Sequence, residues 1–257
     1  GDFNADGKYD FIDQSQPAKN RYDYCIYISD GTTFTKKDVT TIRETRKATP
    51  IISDFNGDCI DDLLLCYDNS TEYKLTLYGS TISFDIIASK TITGSNANKW
   101  SDIVTADFSG DGMSDIINLR KDGYDYLHAV CDTTFKQITT YAYLKNNGSK
   151  ITGDFNGDGK IDIMHIDGSP CQIFTSTGTA FTCKTAPDCL NPTGRQFFVA
   201  DIDGDGSDDV YSISLSGGYQ PIKIFINSNY GTAFKECSGA KVPPISDIKQ
   251  LYTADLS

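Results

Sequence analysis

The sequence is poor in the residues on which catalytic and zinc sites most often depend. It contains two histidines, His128 and His165, and neither has a Ser, Cys or carboxylate partner at the spacing of a catalytic pair. Its eight cysteines include no CxxC pair, which removes the usual zinc-binding pattern. The adjacent carboxylates at 61–62 and 208–209 point to opposite faces of a strand rather than toward one substrate. We therefore expect that the chain is not an enzyme.

Positive charge and long apolar runs are scarce as well. The chain has 23 Lys and Arg against 35 Asp and Glu, for a net charge of −12, and its small basic run lies at 43–47. No segment has the length and apolarity of a membrane span or the form of a signal peptide. We therefore expect neither nucleic-acid binding nor membrane insertion. Because the sequence begins inside a repeat and without Met, we interpret it as a processed or excised piece.

What the sequence has in abundance is a nine-residue acidic loop. Five copies begin with Asp at positions 2, 54, 107, 154 and 201, and residues 253–257 look like the start of a sixth. Oxygen-bearing side chains recur at loop positions one, three, five and nine, and Gly occupies position six in four of the five copies. Calcium takes roughly six to eight oxygen ligands, and alternate residues of a tight turn can direct oxygens at one centre. The pattern therefore predicts calcium-binding loops.

Each loop is predicted to bind its ion through positions one, three, five, seven and nine, with the seventh contributing its backbone carbonyl. Two loops depart from the pattern, because Cys59 replaces Gly in the second and Ser109 replaces Asn in the third. The alternative for a single copy is an ordinary Asx turn without metal. The predicted metal ligands are Asp2, Asn4, Asp6, Lys8 and Asp10; Asp54, Asn56, Asp58, Ile60 and Asp62; Asp107, Ser109, Asp111, Met113 and Asp115; Asp154, Asn156, Asp158, Lys160 and Asp162; and Asp201, Asp203, Asp205, Ser207 and Asp209.

The spacing of the loops predicts the architecture. They recur at a period of about fifty residues, which indicates a solenoid, an array or a propeller. Each period has a short apolar segment before the loop and three strand-like segments after it, and no stretch has a convincing helical period. Four short strands in a repeat of this length are typical of a propeller blade. We therefore predict an all-β fold, a β-propeller of about five four-stranded blades, rather than a parallel β-helix.

We expect one domain over residues 1–257, in which the first repeat lacks its leading strand. Residues 247–257 supply a spare strand, which either closes the ring by pairing into the first repeat or opens the next repeat of a larger ring. The predicted repeats are 1–46, 47–99, 100–146, 147–193 and 194–246.

The loops, together with the Gly-Thr-x-Phe turns that end at Phe34, Phe181 and Phe234, resemble the FG-GAP and VCBS repeats of integrin α-subunit propellers. The resemblance covers essentially the whole chain and departs from the motif at Ala5, Cys59 and Ser109. It implies that calcium lies in the loop joining the first two strands of each blade. Similar repeats occur in RHS and Tc toxin shells, fungal lectins and some polysaccharide lyases, so the resemblance implies fold and metal rather than one role.

From these patterns we expect three to five bound Ca²⁺ ions in a module that is extracellular or on the cell surface, where calcium is plentiful. The expected role is a scaffold that binds a protein partner. The alternatives are a carbohydrate-binding lectin and a polysaccharide lyase or other glycan-active domain. Among the cysteines, the short turn-rich segment between Cys183 and Cys189 favours a disulfide, whereas Cys25, Cys66 and Cys131 lie in strand patterns as small hydrophobes.

Overall fold

A computed structural model describes residues 1–37, 42–69, 72–79, 85–93, 103–120, 123–130, 134–140, 148–166, 171–185, 190, 194–214, 222–228, 231 and 233–237. All regular secondary structure in these ranges is β-strand, so they offer no apolar helix able to cross a lipid bilayer. Within the same ranges, the strands form five antiparallel sheets of four strands each. The predicted all-β fold of four-stranded, propeller-type blades is confirmed.

Four of the sheets share one arrangement. The strand that precedes the acidic loop lies at one edge, and the three strands after the loop follow in chain order. The second sheet contains β5 (Thr49–Ser53), β6 (Asp62–Asn69), β7 (Glu72–Gly79) and β8 (Asp85–Thr93); the third contains β9 (Ile103–Ala106), β10 (Asp115–Arg120), β11 (Gly123–Val130) and β12 (Thr134–Thr140); the fourth contains β13 (Ser149–Gly153), β14 (Asp162–Ile166), β15 (Gln172–Ser176) and β16 (Phe181–Thr185); and the fifth contains β17 (Arg195–Ala200), β18 (Asp209–Ser214), β19 (Lys223–Ser228) and β20 (Ala233–Cys237).

The first sheet is arranged differently. β1 (Phe11–Ala18) pairs with β2 (Arg21–Ser29), whose other side pairs with β3 (Phe34–Lys36) at one end and β4 (Ile42–Glu44) at the other. Among the described residues, no strand pairs with the second edge of β1. The prediction that residues 247–257 pair into this sheet concerns residues outside those described.

The strand after the loop is deeply buried in the second to fifth sheets, whereas β1, which follows the first loop, is largely exposed. In β6, Leu63, Leu64 and Leu65 are all fully buried, and Ile163 and Met164 are buried in the same way in β14. Neighbouring side chains of a strand point to opposite faces, so burial of successive residues means that both faces are covered. This is why these segments are continuous apolar runs instead of alternating ones.

The chain divides into two compact units, Gly1–Ala106 with Asp111–Tyr141, and Asp107–Gly110 with Ala142–Ser257. The core of the first unit joins Phe3 of the first loop to apolar residues of β2 and β6. The core of the second unit joins Phe155 of the fourth loop to apolar residues of β14, β15, β18 and β19. In each unit, the Phe at loop position two therefore anchors a polar loop in an apolar core.

The predicted disulfide between Cys183 and Cys189 is wrong. Cys183 has a free thiol and is exposed, because it lies within β16 opposite Phe174 rather than in the turn-rich segment that follows. Cys171, just before β15, is disulfide-bonded instead. Cys25 and Cys66 are buried with free thiols, and burial raises the pKa of Cys66, as expected of cysteines that act as small hydrophobes.

Candidate metal centre

Each acidic loop folds around the carboxylate of its first Asp. In the fourth loop, Asp154 Oδ1 accepts the backbone N–H groups of Gly157 and Asp158 at 2.7 and 3.1 Å, and Oδ2 accepts that of Gly159 at 2.7 Å. These bonds satisfy backbone groups that a tight turn leaves without ladder partners. Equivalent bonds run from Asn4, Asp6 and Gly7 to Asp2, from Gly57 and Cys59 to Asp54, and from Gly204, Asp205 and Gly206 to Asp201.

The side chains at positions three and five close two further turns in series. In the fourth loop, Asn156 Oδ1 accepts the N–H of Asp158 at 2.9 Å, and Asp158 Oδ1 accepts the N–H of Lys160 at 2.9 Å. The first, second and fifth loops repeat both bonds. Each of these predicted ligands is thus tied to the loop backbone through one oxygen, which has a second lone pair able to bind a cation.

Positions four and six of the loops have left-handed backbone. Gly occupies both positions in the third to fifth loops, with φ between +70° and +89°. Ala5 and Cys59, with φ of 57° and 65°, adopt the same conformation, at a cost of about 1–2 kcal/mol each. The Cys59 N–H still donates to Asp54 Oδ2 at 2.8 Å. The second loop therefore keeps the turn that metal binding needs, although Cys59 replaces its glycine.

The Asp at position nine is buried and joins the loop to its sheet. Asp10 Oδ2 accepts the N–H of Phe3 at 2.9 Å, and its Oδ1 accepts that of Ser29 on β2 at 2.7 Å. In the fifth loop, Asp209 accepts the N–H groups of Ile202 and Asn227 at 2.9 and 2.6 Å. In the first and fifth loops, the position-nine carboxylate is therefore held in place by both the loop and a later strand of the same sheet.

The fourth loop leaves one such carboxylate incompletely satisfied. Asp162 Oδ1 accepts the N–H of Ser176, but its buried Oδ2 has no hydrogen-bond partner among the described residues. Burial, together with the smaller effect of the charges of Asp158 and Asp154, raises the pKa of Asp162 to about 7, although the Ser176 N–H lowers it. A cation at this place would supply the missing partner and offset the repulsion between these carboxylates.

The fifth loop brings three carboxylates together. Asp201, Asp203 and Asp209 each offer an oxygen, and within the described ranges this is the one such group, with all three oxygens within 4.8 Å of one another. Two oxygens bound to one calcium ion at about 2.4 Å can be at most about 4.8 Å apart. Burial raises the pKa of Asp209, and the charge of Asp203 contributes. The separation of these oxygens therefore suits a calcium ion.

Two position-seven lysines pair with the position-five carboxylates, which the sequence did not indicate. Lys8 Nζ lies 3.0 Å from Asp6 Oδ2, and Lys160 Nζ lies 3.3 Å from Asp158 Oδ2. The Lys8 ammonium holds the pKa of Asp6 below its usual range. In the first and fourth loops, the ammonium of a half-buried lysine thus occupies one oxygen of a predicted ligand, and a divalent ion would compete with it.

The third loop is divided between the two units. Asp107 and Ser109 belong to the second unit, where Ser109 Oγ donates to Asp107 Oδ1 at 3.3 Å. Asp111, Met113 and Asp115 belong to the first, where Asp111 Oδ1 accepts the N–H of Met113 at 2.9 Å. Each half keeps the local bonds of the other loops.

Position eight, which supplies no predicted ligand, joins each loop to the loop before it. Its backbone N–H donates to the carbonyl of the preceding loop's first Asp in four successive pairs. The distances are 3.0 Å from Asp61 to Asp2, 2.7 Å from Ser114 to Asp54, 3.0 Å from Ile161 to Asp107 and 2.8 Å from Asp208 to Asp154. Where position eight is Asp, its carboxylate also accepts the N–H of that first residue, at 2.8 Å from Asp2 to Asp61 and 2.7 Å from Asp154 to Asp208.

Sequence reasoning missed this role of Asp61 and Asp208, since it treated them only as neighbours of predicted ligands. A signal was present: both loops that are held by an Asp are preceded by Gly, at Gly1 and Gly153, whereas Ser53 and Ala106 precede the other two. A Cβ on Gly153 would lie 2.7 Å from Asp208 Oδ2 and 2.5 Å from Val199 Cγ1. Glycine is therefore needed where the carboxylate reaches the backbone.

Part of the chain matches a known family of repeats. A family described as FG-GAP-like repeat matches residues 54–117 and 154–212, which include the second to fifth acidic loops. No curated protein matches the chain.

Solved structures resemble the chain at low sequence identity, and the first of them shares its fold. A lectin of Agrocybe aegerita with specific recognition of non-reducing terminal N-acetylglucosamine is 14% identical, with a TM-score of 0.52 over 92% of this chain and 80% of the lectin. The Tc holotoxin pore of Photorhabdus luminescens is 14% identical, with a TM-score of 0.47 over 91% of this chain and 11% of that one. The V. cholerae biofilm matrix protein Bap1 is 17% identical, with a TM-score of 0.42 over 96% of this chain and 38% of that one.

Proposed function

We propose that the chain, in which FG-GAP-like repeats match residues 54–117 and 154–212, is a calcium-binding β-propeller that serves as an extracellular or cell-surface module for protein interaction. The proposal assigns no catalytic step to the chain. Calcium loops of moderate affinity are best filled where calcium is abundant, which is outside the cell. The ions would order the loops, and the ordered loops and the strands they join would form a stable surface for a partner.

The observation that carries the calcium proposal is the arrangement of Asp201, Asp203 and Asp209, whose oxygens lie within 4.8 Å of one another. The unpartnered buried Oδ2 of Asp162 supports it from a second loop. Every predicted ligand is a carboxylate, amide, hydroxyl or carbonyl oxygen, and a donor set of this kind suits a hard cation such as Ca²⁺ rather than a metal that prefers nitrogen or sulfur. The residues present therefore fit the ion that the repeat family implies.

Electrostatics supports the same proposal. The net charge is −12, and the acidic residues of the loops lie close together in sequence and in space. Without a cation, like charges at such separations repel one another and disfavour the folded loop. An ion that binds the folded loops but not the unfolded chain stabilises the fold by mass action.

Thermal unfolding with calcium and then with excess EGTA tests the proposal, alongside the number of ions bound. We expect calcium removal to lower the Tm strongly and to release three to five ions, as the five loops predict. Asp203→Ala should lower the ion count, whereas Asp13→Asn, an exposed substitution on β1 with the same loss of charge, should leave it unchanged. An unchanged melting curve and no bound ion would refute calcium binding and leave the loops as Asx turns.

A second candidate function, carbohydrate binding, is favoured by an exposed aromatic cluster on the first sheet. Phe11 stacks on Tyr27 with ring centroids 4.6 Å apart and meets Phe34 edge-on at 4.8 Å. Phe11 and Phe34 remain 40% and 54% exposed. Exposed rings can bind the apolar face of a sugar. Retention on N-acetylglucosamine-terminated glycans that is lost in Phe34→Ala would favour a lectin over a protein-binding module.

A further inference from the structure

We propose that Asp208 and Asp61 are positioning residues that couple neighbouring calcium loops, so that loading of one loop raises the affinity of the loop before it. Asp208 couples the fifth loop to the fourth, and Asp61 couples the second loop to the first. The inference rests on the proposed calcium function and adds to it an energetic link between sites.

Asp208 binds both backbone polar groups of Asp154, the first residue of the fourth loop. Its N–H donates to the Asp154 carbonyl at 2.8 Å, and its carboxylate accepts the Asp154 N–H at 2.7 Å. Asp154 in turn holds the fourth loop, because its side chain accepts three backbone N–H groups of that loop. The position of Asp208 therefore sets the position of the residue around which the fourth loop is folded.

Two predicted ligands of the fifth loop, Ser207 and Asp209, lie on either side of Asp208 in the chain. Ser207, the position-seven residue, is 5% exposed, and Asp209, the position-nine residue, is fully buried. Asp209 is also held by the N–H groups of Ile202 and Asn227. An ion bound by the residues on either side of Asp208 restricts the backbone of Asp208 as well, since the three residues are consecutive in the chain.

The energetic consequence is cooperative binding. A loop that must be ordered before it binds an ion loses affinity by the free energy of that ordering. When the fifth loop is loaded, Asp208 is already held in place and so is the backbone of Asp154, which lowers the ordering cost of the fourth loop. Coupling of this kind is reciprocal, so an ion in the fourth loop favours binding in the fifth by the same factor.

The chain contains its own comparison. Ser114 and Ile161, at position eight of the third and fourth loops, make the same backbone bond to the preceding loop. Ile161 has no acceptor in its side chain, and Ser114 Oγ bonds Ser53 Oγ at 2.5 Å. The bond from a position-eight carboxylate to the preceding loop, which we call the carboxylate clamp, is thus present in two pairs of loops, one in each unit. The other two pairs have only the backbone bond and serve as the comparison.

A double-mutant cycle tests the coupling with Tb³⁺ as the probe ion. All variants carry Lys160→Trp, which places a sensitising indole at position seven of the fourth loop so that terbium luminescence reports that loop. Asp203→Ala removes a ligand of the fifth loop, and Asp208→Ala removes the clamp. With Asp208 present, we expect Asp203→Ala to weaken terbium binding in the fourth loop by about fivefold or more. With Asp208→Ala, the same change should have less than about a twofold effect.

Asp208→Asn is the conservative control, because it keeps an acceptor oxygen for the Asp154 N–H and should preserve the coupling. If Asp208→Ala does not fold, Asp208→Ser replaces it, since Ser occupies position eight in the third loop. An equal loss on Asp203→Ala in both backgrounds would overturn the coupling and leave calcium binding intact. No terbium signal from any variant, with no calcium-dependent shift in Tm, would overturn the proposed function itself.

Discussion

In the fourth loop, a buried carboxylate retains an oxygen that meets no donor in the described part of the chain. Asp162 begins β14, and its Oδ1 is used by the Ser176 N–H while its Oδ2 is not paired. Burial and the neighbouring Asp158 and Asp154 charges raise its pKa to about 7, against about 3.9 in an unfolded chain. A cation bound at this place would favour the ionised form of Asp162.

The pH dependence of metal-free stability follows from this pKa. Between about pH 4 and pH 7 the folded state holds a proton on Asp162 that the unfolded state has lost, so stability falls as the pH rises across that window. In EGTA at about pH 8, we therefore expect Asp162→Asn to be more stable than wild type, with the difference vanishing near pH 4. In calcium the order should reverse, because the ion needs the ionised carboxylate. Urea denaturation across this pH range measures the stability of Asp162→Asn and of wild type, in EGTA and in calcium. If Asp162→Asn is less stable than wild type in EGTA at about pH 8, burial of the charged carboxylate does not destabilise the metal-free fold.

At the scale of the repeat, a contact between two aromatic residues joins one repeat to the next. Phe155, at position two of the fourth loop, meets Phe234 of β20 edge-on with centroids 6.2 Å apart. Asn227 Nδ2 donates to the Phe155 carbonyl at 2.7 Å, which holds the same turn against the same loop. Phe108 and Phe181 repeat the aromatic contact at 5.5 Å. The Phe of the Gly-Thr-x-Phe turn therefore packs on the Phe at position two of the acidic loop in the preceding repeat.

The first repeat offers a matched control for this contact. Phe34 ends the equivalent turn, but it packs on Phe11 of its own sheet and is 54% exposed. We expect Phe234→Ala to lower the free energy of unfolding by roughly 2 kcal/mol, since it removes a partly buried ring from the core around Phe155. Phe34→Ala should cost less than about 1 kcal/mol. Urea denaturation in calcium measures the loss of unfolding free energy in each variant. Equal losses would mean that the contact between Phe234 and Phe155 adds no stability to the fold.

At the scale of the whole molecule, negative charge is concentrated in the acidic loops. The net charge is −12, and the pKa values of Asp208 and Asp209 are raised chiefly by burial, with nearby Asp charges contributing. Repulsion between exposed or half-buried carboxylates is screened by salt, over about 10 Å at 0.1 M. The metal-free protein should therefore depend on ionic strength far more than the calcium-bound protein does.

This dependence is measurable as the change in Tm between low and moderate KCl. In EGTA we expect the Tm to rise with salt, whereas in saturating calcium it should stay nearly constant, because bound ions have already neutralised the loops. The calcium-bound sample is the control for general salt effects on the fold. A parallel rise in both samples would show that carboxylate repulsion in the loops does not limit stability.

The features that the sequence predicted are those made by residues close together in the chain. The turns of a loop form between positions two to five residues apart, as from Gly157 to Asp154, so Asp, Asn and Gly at fixed spacing already determine them. The strands after the second and fourth loops begin with apolar runs, Leu63–Leu65 and Ile163–Met164, which a sequence reveals directly. Fold class and the local shape of the candidate metal loops were therefore predictable from the amino-acid order alone.

The features that the sequence did not predict are formed by residues far apart in the chain. The Asp208 carboxylate reaches the Asp154 N–H across 54 residues, and the Asp61 carboxylate reaches the Asp2 N–H across 59. Such pairs form when sheets are packed, and no local propensity encodes them. The free thiol of the exposed Cys183 is likewise a consequence of strand register, and the unpaired oxygen of Asp162 is a consequence of burial. Local hydrogen bonding determined the shape of each loop, and packing between repeats determined that the carboxylates of Asp61 and Asp208 bind the backbone of a neighbouring loop.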